Sequence, residues 1–121
     1  MQKFQKVDDR FGFYAILTNP TKGYEYLTEL LVRHEVAFVQ HRMKNETLEK
    51  VRETAQIMHN LTKGSSTRFI VNDFPTIAAE VDADGVHIGQ NDMDYVKTRK
   101  IVGPDKIVGI STHTPQQTKS A

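Results

Sequence analysis

Five short apolar runs recur along the chain, and each is followed at once by polar residues. The runs lie at residues 13–17, 35–39, 69–71, 85–88 and 107–110. The segments between them carry apolar residues at three- and four-residue intervals, which predicts helices. These helices are expected at residues 23–34, 47–63, 76–81 and 95–102. Short strands alternating with helices predict parallel strands joined by right-handed crossovers.

Local signals mark where some of these elements begin. Asn45 or Thr47 can cap the second helix. Asp92 or Asp94 can cap the fourth helix in the same way. The first twelve residues are polar and lack such a pattern, so we expect residues 1–12 to be loose or to lie across the bottom of the fold.

The length allows one domain, residues 1–121. Parallel strands of this kind close either as an open, doubly wound sheet or as a (β/α)₈ TIM barrel. A five-stranded open sheet would be complete at this length. A barrel needs roughly 200–250 residues, so the chain would then hold only the first five βα units of a truncated barrel.

Composition excludes several classes of protein. Hydrophobic residues make up 38% of the chain and charged residues 26%, as in a folded globular domain. No apolar run approaches the roughly 18–20 residues that cross a bilayer, so we expect no membrane partner. Sixteen basic and fifteen acidic residues leave a net charge of +1, which predicts no nucleic-acid partner. The sequence has no cysteine and no signal peptide, which fits a cytoplasmic location.

The polar clusters that follow the five strands should share one edge of the sheet, because parallel strands end on the same side. Sites in such folds lie at the carboxyl ends of the strands. Loops are polar in any protein, so a single cluster carries little weight, and five in succession carry more. The clusters contain Thr18, Asn19, Gln40, Arg42, Lys44, Asn72, Asp73, His87, Gln90, Asp92, Ser111, Thr112 and His113.

Gln40, Arg42 and Lys44 alternate after the second strand. If the chain stays extended, all three side chains point to one face. Two cations beside an amide suit a polyanion, because Arg binds oxygens in a fork and Lys supplies a point charge. The alternative is a solvated helix start.

Asp73 and Asp92 hold equivalent places after neighbouring strands, 19 residues apart. Two carboxylates brought close together repel unless a cation lies between them or one is protonated. Oxygen ligands beside a phosphate favour Mg²⁺. The alternative for both residues is helix capping: Asp92 precedes a helix, and Asp73 precedes Pro75.

The remaining polar side chains have simpler interpretations. His87 lies inside an apolar run and is expected to be a packed core residue, whereas His34, His41 and His59 are expected at the surface. Ser111 lies at a strand end before a predicted helix, where a hydroxyl is better placed to bind phosphate than to act as a nucleophile.

At these residues the sequence resembles the thiamine phosphate synthase family. The resemblance rests on VQHRMK at 39–44, FIVND at 69–73, ADGVHIGQNDMD at 83–94 and GISTHT at 109–114. It implies a (β/α)₈ barrel that couples a hydroxymethylpyrimidine diphosphate to a thiazole phosphate, releasing pyrophosphate. In such families the methylene–oxygen bond of the pyrimidine ionises first, so the protein supplies neither nucleophile nor base.

The resemblance also implies roles for single residues. Gln40, Arg42, Lys44 and Asn72 match binders of the diphosphate and pyrimidine. Asp73 and Asp92 match Mg²⁺ ligands. Ser111 matches a serine that contacts the leaving pyrophosphate.

The chain also departs from the family. The last three strands and the thiazole phosphate loops have no counterpart, and His41 stands where an apolar residue is expected. A barrel cut here would expose the edges of its first and fifth strands. We therefore expect impaired activity, with self-association or a complementing chain. Two alternatives stay open: a non-catalytic diphosphate-binding half-barrel, and a thiazole tautomerase, which would need neither a diphosphate nor a metal site.

Overall fold

A computed structural model describes residues 2–8, 12–89 and 92–111 of the chain, with side chains at 13–89 and 95–111. Strands and helices alternate through most of this part of the chain. In chain order they are β1 (Gln2–Asp8), β2 (Gly12–Leu17), α1 (Tyr24–Arg33), β3 (Phe38–His41), α2 (Leu48–Thr62), β4 (Arg68–Asn72), α3 (Pro75–Val81), β5 (Gly85–Ile88), α4 (Asp92–Val102) and β6 (Ile107–Ile110).

The six strands form one sheet in the order in which they occur along the chain. From β2 to β6 every neighbouring pair is parallel, with a helix in each crossover. This confirms the predicted α/β fold of five parallel strands. Such a succession of βα units is what a truncated TIM barrel would contain.

The expectation that residues 1–12 are loose or lie across the bottom of the fold is wrong for residues 2–8, and residues 1 and 9–11 lie outside the described residues. Residues 2–8 form β1, which pairs antiparallel with β2 from Gln2 opposite Leu17 to Asp8 opposite Gly12. The predicted exposed edge of the first parallel strand is therefore wrong as well, because β1 satisfies its backbone groups. At the other side, β6 pairs with β5 and is the edge of the described sheet.

The core lies between the sheet and its helices. Alternate residues of the strands, among them Leu17, Val39, Val71 and Val86, form one buried cluster with residues of the helices. Leu31 contributes from α1 and Met58 from α2. Because side chains alternate along a strand, the other residues of each strand point to the opposite face of the sheet.

His41 belongs to the helix-facing side of β3, and its predicted surface position is wrong. It is 1% exposed and lies two residues after Val39, on the same face. Its ring meets the ring of Tyr24 edge-on at a centroid distance of 5.0 Å. Neither ring nitrogen has a hydrogen-bond partner among the described residues. Burial lowers the pKa of His41 from 6.5 to about 4, so the imidazole is neutral at pH 7.

Local chemistry explains the boundaries of the elements. Thr47 caps α2, since its side chain accepts a hydrogen bond from the Lys50 backbone N–H. The second predicted strand begins later than expected because Glu35, with φ 55°, lies in the left-handed turn that ends α1. No helix in the described ranges is long and apolar enough to span a bilayer.

Candidate functional site

The carboxyl ends of the parallel strands surround a cavity of about 220 Å³. Four of the predicted site residues line it together: Gln40, Arg42, Asn72 and Ser111. Its other lining residues are Ile16, Thr18 and His87. The predicted convergence of polar groups from separate strands is confirmed for these four residues.

Strand register explains why these side chains meet. Ile16 pairs with Gln40, and Gln40 pairs with Ile70, so these residues form one row across the sheet. Asn72 pairs with His87 in a second row, nearer the carboxyl edge. Both rows point away from the helices, because along each strand their residues alternate with the residues that form the packed core.

Gln40 is held by Tyr14, a residue that the sequence did not single out. The Gln40 side-chain amide donates a hydrogen bond of 3.0 Å to the Tyr14 hydroxyl. The Tyr14 ring stacks on Phe38 with centroids 5.2 Å apart. Burial raises the pKa of Tyr14, an effect that the Gln40 bond partly offsets. The phenol therefore stays protonated and orients an amide that is 2% exposed.

Arg42 lies where β3 ends. Its backbone N–H donates to the Leu17 carbonyl at 3.0 Å, which continues the pairing with β2 for one more residue. Its guanidinium donates to the Thr18 hydroxyl at 3.3 Å. A guanidinium carries five N–H donors, so it can hold Thr18 and bind an anion at the same time.

Lys44 does not share the cavity with Gln40 and Arg42, contrary to the alternation expected. Its backbone N–H donates to the Asn19 side chain at 3.3 Å, and its carbonyl accepts from the same side chain at 3.2 Å. These bonds hold residue 44 in a loop, so the extended conformation does not continue. Its ammonium instead lies 2.8 Å from the carboxylate of Asp73, the residue that follows the cavity-lining Asn72.

Asp73 does not open a helix, so its capping alternative is wrong. The N-cap of α3 is Phe74, and no side chain caps that helix. Asp73 has φ 71°, and its backbone N–H donates to the His87 carbonyl at 2.8 Å. A left-handed conformation is costly for a residue other than glycine. Here it leaves a carboxylate 44% exposed at the edge of the sheet, free of any structural capping duty.

Asp92 begins α4, but its side chain lies outside the described residues. The predicted closeness of its carboxylate to Asp73 therefore stays a prediction. The loop from β5 to α4 does approach Asp73, because Gly89 and Asp73 line one cavity of about 270 Å³. That cavity also contains Lys97 and Thr98 of α4.

The residues present fit Mg²⁺ better than a metal held entirely by protein. Within residues 13–89 and 95–111 no three His, Asp or Glu side chains gather as a metal site. Mg²⁺ keeps several waters and commonly uses one or two carboxylates together with substrate phosphates. The accessible Asp73, paired with Lys44, supplies one such carboxylate, and Asp92 is the second expected ligand.

His87 is not the packed core residue predicted. It is half-buried, lines the cavity, and its Nε2 lies 2.6 Å from the Ser111 hydroxyl. Burial lowers the pKa of His87, and the charge of Asp73 opposes this effect. The alternation that placed Gln40 in the cavity places His87 there too, and only the strand register shows that the two face the same space.

Comparison with known proteins shows the family of this chain. A family model described as thiamine monophosphate synthase matches residues 13–121. The thiamine-phosphate synthase of Halalkalibacterium halodurans is 36% identical over 92% of this chain and 54% of its own length. That of Lawsonia intracellularis is 40% identical over 71% of this chain and 40% of its own length.

A solved structure has a similar fold. The thiamine phosphate pyrophosphorylase of Pyrococcus furiosus superposes with a TM-score of 0.71 at 25% identity. The superposition covers 87% of this chain and 52% of that chain. The chain therefore spans about half the length of the relatives it matches.

Proposed function

The chain belongs to the thiamine monophosphate synthase family, and from this premise we propose that it binds a hydroxymethylpyrimidine diphosphate with Mg²⁺ for transfer to a thiazole phosphate. One observation carries the proposal. Gln40, Arg42, Asn72 and Ser111 line one cavity, and the next residue after Asn72, Asp73, is paired with Lys44.

The two halves of the ligand suit different parts of this site. The Gln40 amide is buried and fixed by Tyr14, so it can hydrogen-bond an uncharged heterocycle such as the pyrimidine. Arg42 and Lys44 follow Gln40 beyond the end of β3, where Arg42 can bind a diphosphate at the mouth of the cavity. Asn72, 8% exposed, adds an amide between the two regions.

The charges in the site favour departure of pyrophosphate. Negative charge grows on the leaving oxygen as the methylene–oxygen bond breaks, and preorganised cations stabilise it. Arg42 binds such oxygens in a fork, and Lys44 adds a second positive charge. Mg²⁺, when bound through Asp73 and Asp92, would supply further charge neutralisation. The pair of electrons leaves with the pyrophosphate, and the thiazole nitrogen of the second substrate forms the new bond to the methylene carbocation, so no residue need act as nucleophile or base.

Lys44 can exchange partners during binding. Its ion pair with Asp73 is 37% and 44% exposed at the two side chains. Exposed pairs of this kind contribute only about 0–1 kcal/mol. Lys44 can therefore turn to a phosphate oxygen at little cost, which leaves the Asp73 carboxylate available to a cation.

Calorimetry with the pyrimidine diphosphate tests this function directly. We expect binding that depends on Mg²⁺ and that weakens in Arg42→Ala and Asp73→Asn. Binding that is indifferent to both substitutions would show that the site lies elsewhere. A thiazole tautomerase is disfavoured, because that reaction makes no use of a diphosphate or metal site.

The coupling reaction itself is expected to be impaired in this chain alone. The family resemblance assigns the thiazole phosphate to later strands, and the chain spans about half the length of its relatives. An assay with both substrates and Mg²⁺ should give little or no thiamine phosphate. Turnover would instead indicate that self-association completes the site, and size-exclusion chromatography of the active sample would then show an oligomer. Binding without turnover would favour a diphosphate-binding half-barrel.

A further inference from the structure

His87 and Ser111 are joined across the last two strands. The His87 Nε2 atom lies 2.6 Å from the Ser111 Oγ atom. The Ser111 backbone N–H also donates to the Ile88 carbonyl at 3.0 Å. The main chain and side chain of Ser111 are thus both held by β5, and the hydroxyl faces the cavity that Arg42 also lines.

Gly109 makes room for this arrangement. It lies directly opposite His87 in the strand register. A Cβ atom at position 109 would come within 2.7 Å of His87 Nδ1 and 3.5 Å of its Cε1. The imidazole therefore occupies the space that a side chain would fill, and from there it reaches Ser111, two residues further along.

We infer that His87 is a positioning residue for Ser111. The His87 Nε2–H donates to the Ser111 oxygen, so that the hydroxyl hydrogen points at a diphosphate oxygen. This inference rests on the proposed function, because it takes Ser111 as a diphosphate ligand. Gly109 is also needed for this arrangement, because a residue with a Cβ atom at that position would leave too little space for the His87 ring.

The direction of the hydrogen bond follows from counting donors. A serine hydroxyl has one hydrogen, and ionised phosphate oxygens only accept. If the hydroxyl donated to the imidazole, it would turn lone pairs toward an anion. If the imidazole donates, the single hydroxyl hydrogen is available to the phosphate. A neutral imidazole has one N–H, so its tautomer decides which arrangement exists.

The tautomer can be measured without any ligand. Nitrogen-15 NMR of the histidine-labelled 121-residue chain at pH 8 distinguishes a protonated Nε2 from a protonated Nδ1. We expect His87 in the Nε2–H form. An Nδ1–H form, with Nε2 accepting from Ser111, would overturn the inference whether or not the chain binds diphosphate.

Binding of inorganic pyrophosphate with Mg²⁺, measured by calorimetry, tests the consequence. His87→Phe keeps a ring but removes the donor, and we expect it to weaken binding about as much as Ser111→Ala, about 10–100-fold for a hydrogen bond to a charged group. The double variant should bind no worse than Ser111→Ala. His87→Gln can place an N–H near the Nε2 position and should recover part of the affinity.

Gly109→Ala provides an independent perturbation, because it displaces the ring without removing either partner. It should lower the affinity and change the His87 nitrogen signals together. His34→Gln, at an exposed position at the end of α1, is the matched control and should change neither. Urea unfolding of each variant confirms that it remains folded.

The results separate the inference from the proposed function. If Arg42→Ala still weakens binding, then additive losses in the double variant, or no rescue by His87→Gln, would refute the positioning role of His87. Unchanged binding in Arg42→Ala would refute the proposed function itself. A chain that binds no pyrophosphate would overturn both.

Discussion

The ammonium of Lys44 lies 2.8 Å from the carboxylate of Asp73, 29 residues further along the chain. The loops after β3 and β4 are thereby joined at the carboxyl edge of the sheet. The pair connects a group expected to bind phosphate with a group expected to bind Mg²⁺. Because the two roles belong to different side chains, a single substitution at either residue tests one role at a time.

Asp73→Asn should remove most of the Mg²⁺ dependence of pyrophosphate binding. An amide is a poor replacement for an anionic metal ligand, and the loss of even an outer-shell partner costs about 10–100-fold in metal affinity. Titration of Mg²⁺ at fixed pyrophosphate measures the effect. Asp82→Asn is the matched control, because Asp82 pairs with Lys106 rather than with a site residue. Equal effects of the two substitutions would contradict the metal role.

Asp92→Asn should also weaken Mg²⁺-dependent binding of the diphosphate. Asp92 begins α4 and is the second expected ligand. Calorimetry with and without Mg²⁺ separates a metal effect from general weakening. An affinity identical to that of the unmodified chain would remove Asp92 from the metal site and leave Asp73 alone.

Arg42→Ala should lower pyrophosphate affinity about 10–100-fold, because hydrogen bonds to charged groups contribute about 1.5–3 kcal/mol. Added salt should reduce the difference between variant and unmodified chain, since ions screen exposed charges. Arg33→Ala removes the same charge from the last turn of α1 and should bind normally. Similar losses in both variants would indicate a general charge effect rather than a specific site.

His41 should make the fold sensitive to acid. Its pKa is about 4 in the folded chain against 6.5 for the free group, so the unfolded chain binds more protons between these values. The contribution of neutral His41 to stability is therefore fully present above pH 6.5 and is lost as the pH falls toward 4. At about 1.4 kcal/mol per pH unit, the free energy of unfolding should decrease by about 3 kcal/mol.

His41→Leu tests this linkage by urea unfolding at several pH values. The variant should be at least as stable as the unmodified chain at pH 7, because the ring nitrogens of His41 have no partner among the described residues. Its stability should also fall less between pH 7 and pH 5. His34→Gln is the control, and its pH dependence should match that of the unmodified chain. An unchanged slope in His41→Leu would contradict the assignment.

Gly85→Ala should loosen the attachment of β6. A Cβ atom there would collide with the backbone oxygen of Ile107 and lie 2.7 Å from the Ile107 Cβ. Overpacking of this kind costs about 1–3 kcal/mol. Gly89→Ala meets no described residue within 4 Å of the added atom and should change stability little. Urea unfolding compares the two, and equal stabilities would show that β6 accommodates the methyl group.

Several site residues could be predicted because their position at the end of an apolar run is visible in the local sequence. Gln40, Arg42, Asn72 and Ser111 directly end or follow apolar runs, and parallel strands bring such positions to one edge. Lys44 could not be placed in this way. Its position depends on hydrogen bonds with Asn19, 25 residues earlier, which stop the alternation that began at Gln40.

Two contributors could be found only in three dimensions. Tyr14 reaches Gln40 from 26 residues away, and His87 reaches Ser111 from 24 residues away. Neither distance is encoded in a short motif, because each depends on which residues of neighbouring strands stand opposite each other. The same pairing gave β1 a place in the sheet although its own sequence carries no apolar run.

From β2 onward, the order of strands and helices was determined by the sequence alone, because apolar spacing and capping act over a few residues. The tertiary structure decided which face each polar residue occupies and which partner it meets. His41 and Arg42 are neighbours in sequence, yet one is buried against Tyr24 and the other lines the cavity. The physical reason is that alternation separates neighbours onto opposite faces, and only the packing of helices on one face decides which is buried.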